Sequence, residues 1–211
     1  MKTYLLPILL LFSLPFFCQH KFEQEGNTHR IMSYNIRNAK GLDNKTDIIR
    51  IASVIESVNP EVVALQELDS ITRRCDSVDI LKELADITRM HYTYAPAIDF
   101  DGGKYGIGIL SAKKPLTSKK IALPGREEKR VLLICEFDKY VVFATHFSLN
   151  KEDRESSIGI INAEVVKYSK PVILTGDLNA DVESAEINIL KKNWKILNNV
   201  KTPTFPADEP K

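Results

Sequence analysis

The chain has 211 residues, with 29 Lys and Arg against 28 Asp and Glu, and its formal net charge is +1. Hydrophobic residues make up 44% of the sequence and charged residues 27%, as in an ordinary globular protein. These values exclude intrinsic disorder, a collagen-like or coiled-coil fibre and a small disulfide-stabilised scaffold, and they favour a single domain.

The first 18 residues have the composition of an export signal. Lys2 precedes an apolar run from Tyr4 to Phe17, which is shorter than the roughly 20 residues of a membrane-spanning helix. We therefore expect residues 1–18 to be a cleaved signal peptide, and the mature protein to be periplasmic or secreted with no stable membrane span. Acylation of Cys18 as a lipoprotein, and an uncleaved anchor, are the alternatives.

Residues 19–29 form a polar leader, and residues 30–211 are expected to form one domain. Removal of residues 1–18 takes away one lysine and leaves a formal charge of zero, which argues against a strong nonspecific nucleic-acid binder. The mature chain keeps Cys75 and Cys135. Because Cys135 lies in an apolar, strand-like run, a buried free thiol is favoured over a disulfide.

Strand-like and helix-like patterns alternate along the domain. Alternating or continuous apolar runs predict strands, and apolar residues at helical spacing predict helices. The predicted elements are a strand at 30–36, a helix at 47–58 capped by Thr46 or Asp47 and ended by Asn59-Pro60, a strand at 61–66, a helix at 77–89, a hairpin of 92–98 and 104–111 around Asp101-Gly102-Gly103, strands at 130–137 and 140–147, a helix at 151–168, a strand at 171–176 and a helix at 183–193. This mixture predicts an α/β or α+β layered sandwich.

Several predicted strands end in polar residues that could bind a metal ion or a phosphate. The apolar runs close at Asn35, Glu67, His146 and Asp177, and Asn179 follows shortly after the last. Because ligands of open α/β sheets bind outside the carboxyl ends of the strands, we expect these side chains to converge at one edge. Taken singly, each also has an ordinary structural explanation, such as a turn residue, a surface acid or a core histidine.

The residue types in this set favour a hard divalent cation and phosphoryl chemistry. Carboxylate and amide oxygens dominate, and they suit Mg²⁺, with Mn²⁺ or Ca²⁺ as alternatives. In this hypothesis Asp177 orients or deprotonates a water molecule, and His146 helps to stabilise the phosphate oxygens. A glycosidase-type pair of Glu67 and Asp177 is the alternative, and no other feature of the sequence supports it.

Six short motifs occur in order between residues 30 and 180. They are SYNI (33–36), LQE (65–67), YGIGILS (105–111), the arginine of KRVLL (129–133), ATH (144–146) and GDLN (176–179). In this order they resemble the endonuclease/exonuclease/phosphatase superfamily, which includes deoxyribonucleases, abasic-site endonucleases, inositol polyphosphate 5-phosphatases and bacterial sphingomyelinases. The resemblance implies a four-layer sandwich of two mixed β-sheets, packed face to face and flanked by helices.

The resemblance also implies how the metal and the attacking water are held. Glu67 matches the principal metal ligand of the family, and Asn35 matches a second metal-site residue. Asp177 matches the acid that orients or activates the water. Asn179 matches a residue that holds Asp177 and the phosphate.

Three further residues match positions that contact the phosphate. His146 matches a histidine at a strand end, whereas Tyr105 and Arg130 fall at positions that align more loosely. The expected partner is a phosphate-ester substrate, which could be a nucleic acid, a phospholipid headgroup or a small phosphate ester. For the assembly we expect a monomer.

The family pattern continues with an Ile-Asp-Tyr-type segment and a Ser-Asp-His motif, and the sequence stops at Lys211 before either. We therefore expect a C-terminally incomplete domain in which strands of the second sheet are missing and one strand edge is unpaired. Two hypotheses follow. The first is a Mg²⁺-dependent hydrolase of phosphate esters, either a phosphodiesterase or nuclease or a phosphatase. The second is a catalytically impaired fragment or a non-catalytic remnant that binds phosphate or metal.

Overall fold

The computed structural model describes residues 28–210, so the expected signal peptide and most of the polar leader lie outside the described residues. This part of the chain contains eight strands and four α-helices. They are β1 (Ile31–Asn35), α1 (Ile48–Val58), β2 (Val62–Ser70), α2 (Ile80–Thr88), β3 (His91–Phe100), β4 (Gly103–Ser111), β5 (Thr117–Leu123), β6 (Arg130–Glu136), β7 (Val141–His146), α3 (Lys151–Val165), β8 (Val172–Asp177) and α4 (Ala185–Leu190). Two single-turn 3-10 helices, Arg37–Ala39 and Arg73–Cys75, follow β1 and β2.

The strands form two four-stranded sheets, with the orders β1-β2-β4-β3 and β5-β6-β7-β8. Each sheet combines one parallel pair, β1 with β2 or β7 with β8, with antiparallel pairs. Helices α1 and α2 cover the outer face of the first sheet, and α3 and α4 cover the outer face of the second. The predicted sandwich of two mixed sheets between helices is confirmed.

The core between the sheets follows from the alternation of side chains along each strand. Val62 and Ala64 of β2 face the second sheet, whereas Val63 and Leu65 face the helices. Successive side chains of a strand point to opposite faces of the sheet, so both faces of β2 need apolar residues. This is why the sequence of β2 is a continuous apolar run rather than an alternating one.

Helix α1 illustrates how local sequence sets the limits of an element. The carboxylate of Asp47 accepts a hydrogen bond from the backbone N–H of Arg50 at 2.9 Å, which satisfies a donor that has no partner within the helix. At the other end Asn59 adopts a left-handed conformation directly before Pro60. The predicted limits of this helix, including the Asp47 cap, are confirmed.

Strand β5 is the element that the sequence analysis does not predict. Its central residues include the exposed Lys119 and Lys120. Among residues 28–210 the strand lies at an edge of the second sheet and pairs with β6 alone. Lysines on an edge strand hinder pairing with other chains, and they also remove the apolar alternation by which a strand is recognised.

Cys75 and Cys135 are both buried and both free, which confirms the expectation for Cys135.

Within residues 28–210 no helix is long and apolar enough to cross a membrane. In the same part of the chain β8 pairs only with β7, so β8 is an edge strand.

Candidate active site

The carboxyl ends of three strands meet at one edge of the sandwich. Asn35 is the last residue of β1, and β1 contacts β8 of the other sheet. His146 and Asp177 are the last residues of β7 and β8, and they are register partners in this parallel pair. The expected convergence of these three side chains is therefore present in the structure.

Glu67 lies at the same edge, but within a strand and not at the expected strand end. The prediction that a strand ends at Glu67 is wrong, because β2 continues to Ser70. A β-bulge between Leu65 and Leu68 contains Glu67, whose φ angle of 59° is left-handed. Bulges turn a side chain away from its regular direction and are common beside active sites. The bulge leaves Glu67 partly exposed between two fully buried neighbours.

The side-chain amide of Asn35 joins the two carboxylates of the site. Its Nδ2 donates to Glu67 Oε1 at 2.8 Å and to Asp177 Oδ2 at 3.0 Å. Its Oδ1 accepts from the backbone N–H of Arg37 at 3.1 Å, which orients the amide. Two carboxylates that approach the same point repel each other, and the shared donor offsets part of that repulsion.

The chain after β8 holds Asp177 from its other side. The backbone N–H of Asn179 donates to Asp177 Oδ1 at 3.0 Å, and Asn179 Nδ2 donates to the carbonyl of Phe147 at 2.8 Å. Asn179 has a left-handed φ of 47°, a conformation that asparagine tolerates better than most residues. Both carboxylate oxygens of Asp177 are thus hydrogen-bonded, and its position is fixed.

His146 lies between Asp177 and Arg130. Its Nε2 is 3.9 Å from Asp177 Oδ2, and its Nδ1 is 3.3 Å from Arg130 Nη1. Burial and the positive charge of Arg130 lower the pKa of His146, although Asp177 and Glu67 oppose this. The imidazole is therefore neutral at neutral pH.

Two carboxylates cover the guanidinium of Arg130. Glu128 Oε1 lies 2.8 Å from Arg130 Nη1, and Glu127 Oε1 lies 3.4 Å from Arg130 Nη2. Arg130 is only 7% exposed, and its Nε has no hydrogen-bond partner within the described residues. Burial raises the pKa of Glu128, and the nearby charges of Glu67 and Glu127 add to this against the opposing effect of Arg130.

Tyr105 lies beside Glu67. Burial and the negative charge of Glu67 raise the pKa of the Tyr105 phenol, so its hydroxyl stays protonated. The guanidinium of Arg74 packs against two rings here, 4.4 Å from the centroid of Phe100 and 5.4 Å from that of Tyr105. Neither Arg74 nor Glu128 is among the site residues predicted from the sequence. Glu128 could have been found from its position two residues before Arg130, but nothing in the sequence distinguishes Arg74 from other surface arginines.

The oxygen donors present suit a cation that keeps much of its own hydration. Within residues 28–210 no group of three or more His, Cys, Asp or Glu side chains is arranged to hold a metal. Mg²⁺ needs only one or two carboxylates when waters and substrate oxygens complete its shell. Glu67 therefore fits such an ion. Asn35 would add its amide oxygen only after a rotation, because its Nδ2 faces both carboxylates and its Oδ1 accepts from Arg37.

The sequence model of the Endonuclease/Exonuclease/phosphatase family matches residues 32–209. The chain belongs to this family. No curated protein sequence matches it. The three known structures described next are 18–24% identical to the chain, and this likeness bears on the fold alone.

A family protein from Beutenbergia cavernae is 24% identical to the chain, with a TM-score of 0.64, and the match covers 74% of the chain and 49% of that protein. A mannosyl-6-phosphatase from Bacteroides thetaiotaomicron is 18% identical to the chain, with a TM-score of 0.59, and the match covers 76% of the chain and 69% of that protein. TDP2 from D. rerio, solved with a single-strand DNA product, is 24% identical to the chain, with a TM-score of 0.58. This match covers 77% of the chain and 64% of that protein. The chain spans about half the length of the first of these proteins.

Proposed function

We propose that this site hydrolyses phosphate esters by in-line attack of water, and that the reaction depends on a divalent cation, preferably Mg²⁺. The observation that carries the proposal is the cluster centred on Asn35, in which one amide joins Glu67 and Asp177 at 2.8 and 3.0 Å. Membership of a family of nucleases and phosphatases supports the same chemistry.

Each side chain of the cluster has a distinct task in this reaction. Asp177 accepts the proton of the attacking water, and its fixed carboxylate keeps the water in line with the phosphorus. Glu67 and Asn35 would hold the cation, which when bound neutralises charge on the phosphate. His146 and Asn179 donate hydrogen bonds to the phosphate oxygens as negative charge develops there.

The proposed substrate is a phosphate ester of a nucleic acid, a phospholipid headgroup or a small molecule. The names of structurally similar proteins include a sugar phosphatase and an enzyme solved with a DNA product, which supports the breadth of this class. Export of the protein, directed by residues 1–18, is part of the proposal.

The proposal is tested with the protein expressed from the whole sequence. Hydrolysis of an aryl phosphodiester and of an aryl phosphomonoester is measured with Mg²⁺, with EDTA, and in the variants Glu67→Ala and Glu56→Ala. Glu56 is an exposed acid on α1, so its variant is the matched control. We expect turnover that EDTA and Glu67→Ala abolish and Glu56→Ala preserves.

Absence of turnover from a protein that melts cooperatively would contradict the hydrolase. If Mg²⁺ or inorganic phosphate then raised the melting temperature of the wild type, but not of Glu67→Ala, the non-catalytic binding function would replace it. Turnover that is equal in the two variants would place the reaction outside the Asn35 cluster.

A further inference from the structure

The contact between Arg130 and His146 defines the tautomer of the imidazole. Arg130 Nη1 lies 3.3 Å from His146 Nδ1. A guanidinium carries only N–H donors and does not lose a proton in proteins. His146 Nδ1 must therefore accept this hydrogen bond through its lone pair, and the single proton of the neutral ring is on Nε2.

The arginine is held so that it cannot turn away from the imidazole. Glu128 and Glu127 contact its two terminal nitrogens, at 2.8 and 3.4 Å. Glu127 is itself fixed, because it accepts hydrogen bonds from Ser148 Oγ and from the backbone N–H of Leu149, both at 2.8 Å. These two residues belong to the loop that follows His146. Arg130 is thus anchored to the same segment that carries the histidine.

We propose that Arg130 is a positioning residue, and that it holds His146 as a neutral, Nε2-protonated hydrogen-bond donor that takes no part in proton transfer. The proposal rests on the proposed phosphate-ester hydrolysis, and it replaces the direct phosphate contact that the sequence analysis expects of Arg130. The edge of the imidazole that carries the Nε2 proton faces Asp177 and the site, where a phosphate oxygen would accept it.

The chemistry of the ring explains why proton transfer is excluded. A proton cannot be added at Nδ1, because that lone pair already accepts from a permanent cation. Removal of the Nε2 proton with Nδ1 unprotonated would leave an imidazolate, which is far too basic to form in neutral water. His146 is then neither the general base nor the general acid, and the base of the reaction is Asp177.

The charged groups that face His146 come from four elements of the fold. Arg130 at the start of β6 opposes protonation of the ring, whereas Asp177 on β8, Glu67 on β2 and Glu127 before β6 favour it. Burial of the ring is the main cause that lowers the pKa of His146, and the charge of Arg130 adds to it. The balance supports the neutral form on which the tautomer assignment depends.

The tautomer is measured directly by two-bond ¹H–¹⁵N correlation spectra of protein labelled in its histidines, without any substrate. The His146 signals are assigned by their loss in His146→Gln. We expect the Nε2–H pattern in the wild type and in Arg126→Met, and loss of that pattern in Arg130→Met. Arg126 is the matched control because it lies in the loop directly before β6 but binds Asp153 instead. An Nδ1–H or imidazolium pattern in the wild type would overturn the assignment, even if the variants were unstable.

Turnover separates a hydrogen-bond donor from a proton-transfer group. The amide nitrogen of glutamine can take the place of Nε2–H but cannot exchange protons, so His146→Gln should keep kcat within about tenfold of the wild type. His146→Ala should lose about 10²–10³-fold, the usual effect of removing one donor to a developing oxyanion. Equal losses in both variants would overturn the donor role. If the protein is not a hydrolase, the wild type and both His146 variants will show no turnover. The spectra will still report the tautomer of His146.

Discussion

Asn35 Nδ2 lies 3.0 Å from Asp177 Oδ2, so the last residue of β1 is hydrogen-bonded to the last residue of β8 in the opposite sheet. The two residues are 142 positions apart in the chain. The same nitrogen donates to Glu67, and the three side chains therefore depend on how the sheets are packed against each other. Any change that shifts one sheet relative to the other should alter this cluster before it unfolds the protein.

Replacement of Asn35 by alanine should reduce kcat/KM by at least about tenfold, because hydrogen bonds to charged groups contribute about 1.5–3 kcal/mol each and two are lost. Asn193→Ala, at an exposed position, is the control and should leave turnover unchanged. Steady-state kinetics on the aryl esters provides the measurement. A wild-type value of kcat/KM in Asn35→Ala would show that the amide does not organise the two carboxylates.

Asp177→Asn should lower kcat by about 10²–10⁴-fold, the range found when a general base is removed. The amide oxygen of asparagine can still accept from the N–H of Asn179, so the loop after β8 should keep its position. The new amide nitrogen faces the Asn35 Nδ2 donor, so that hydrogen bond is lost and we expect a moderately lower melting temperature. A small change in kcat would assign the proton of the attacking water to another group.

Gly176 sets the approach of β8 to β7 directly before Asp177. Its φ angle is 144°, and a Cβ atom at this position would lie 2.0 Å from the carbonyl oxygen of Thr145. Gly176→Ala should thus separate the strands locally, lower the stability by about 1–3 kcal/mol and reduce turnover by displacing Asp177. Urea unfolding and kinetics on the same samples measure the two effects.

Gly159 in α3 is the matched control for Gly176, since a Cβ atom there would have no neighbour within 4 Å. Gly159→Ala should stabilise the protein by about 0.5–1 kcal/mol, because glycine inside a helix is less favourable than alanine. Similar effects of the two substitutions would mean that the contact with Thr145 does not constrain the strands.

Features of the fold that depend on neighbouring residues could be predicted from the sequence, whereas features set by strand pairing could not. The limits of α1 follow from Asp47 and Asn59-Pro60, which act within one turn, and the structure confirms them. Strand β5 was missed because it is defined by its partner β6 rather than by its own pattern. The left-handed bulge at Glu67 likewise exists only in pairing with β4, so the strand continues past the residue at which the apolar run predicts its end.

The same distinction applies to the site. The convergence of His146 and Asp177 could be predicted, because they end neighbouring parallel strands and such ends share an edge. Asn35 ends a strand of the other sheet and joins them through the packing of the two sheets. The two carboxylates on Arg130 could not be predicted, since Glu127 and Glu128 lie in a loop whose conformation is set by contacts with Ser148 and Leu149.

A buried ion pair beside the site gives the last prediction. Asp69 is fully buried and accepts from Arg74 Nε at 2.5 Å and from Arg74 Nη2 at 2.8 Å. Burial alone would raise the pKa of Asp69, but the hydrogen bonds from Arg74 and from the thiol of Cys75 outweigh it and lower the pKa. Because the pKa is lower in the folded state, the carboxylate stabilises the fold above its unfolded pKa of about 4. That stabilisation is lost as the pH falls from this value through the folded pKa.

Arg74→Met should lower the free energy of unfolding at neutral pH by about 2–3 kcal/mol, since it leaves a buried carboxylate without its cation. The expected loss of unfolding free energy is below the largest values for broken buried ion pairs, because 38% of the Arg74 side chain is exposed to water. The loss should shrink in the double variant Asp69→Asn/Arg74→Met, in which no charge is left buried. Urea unfolding at neutral pH provides the comparison. A double variant less stable than Arg74→Met alone would show that Asp69 stabilises the turn through its hydrogen bonds with Cys75 rather than through the ion pair.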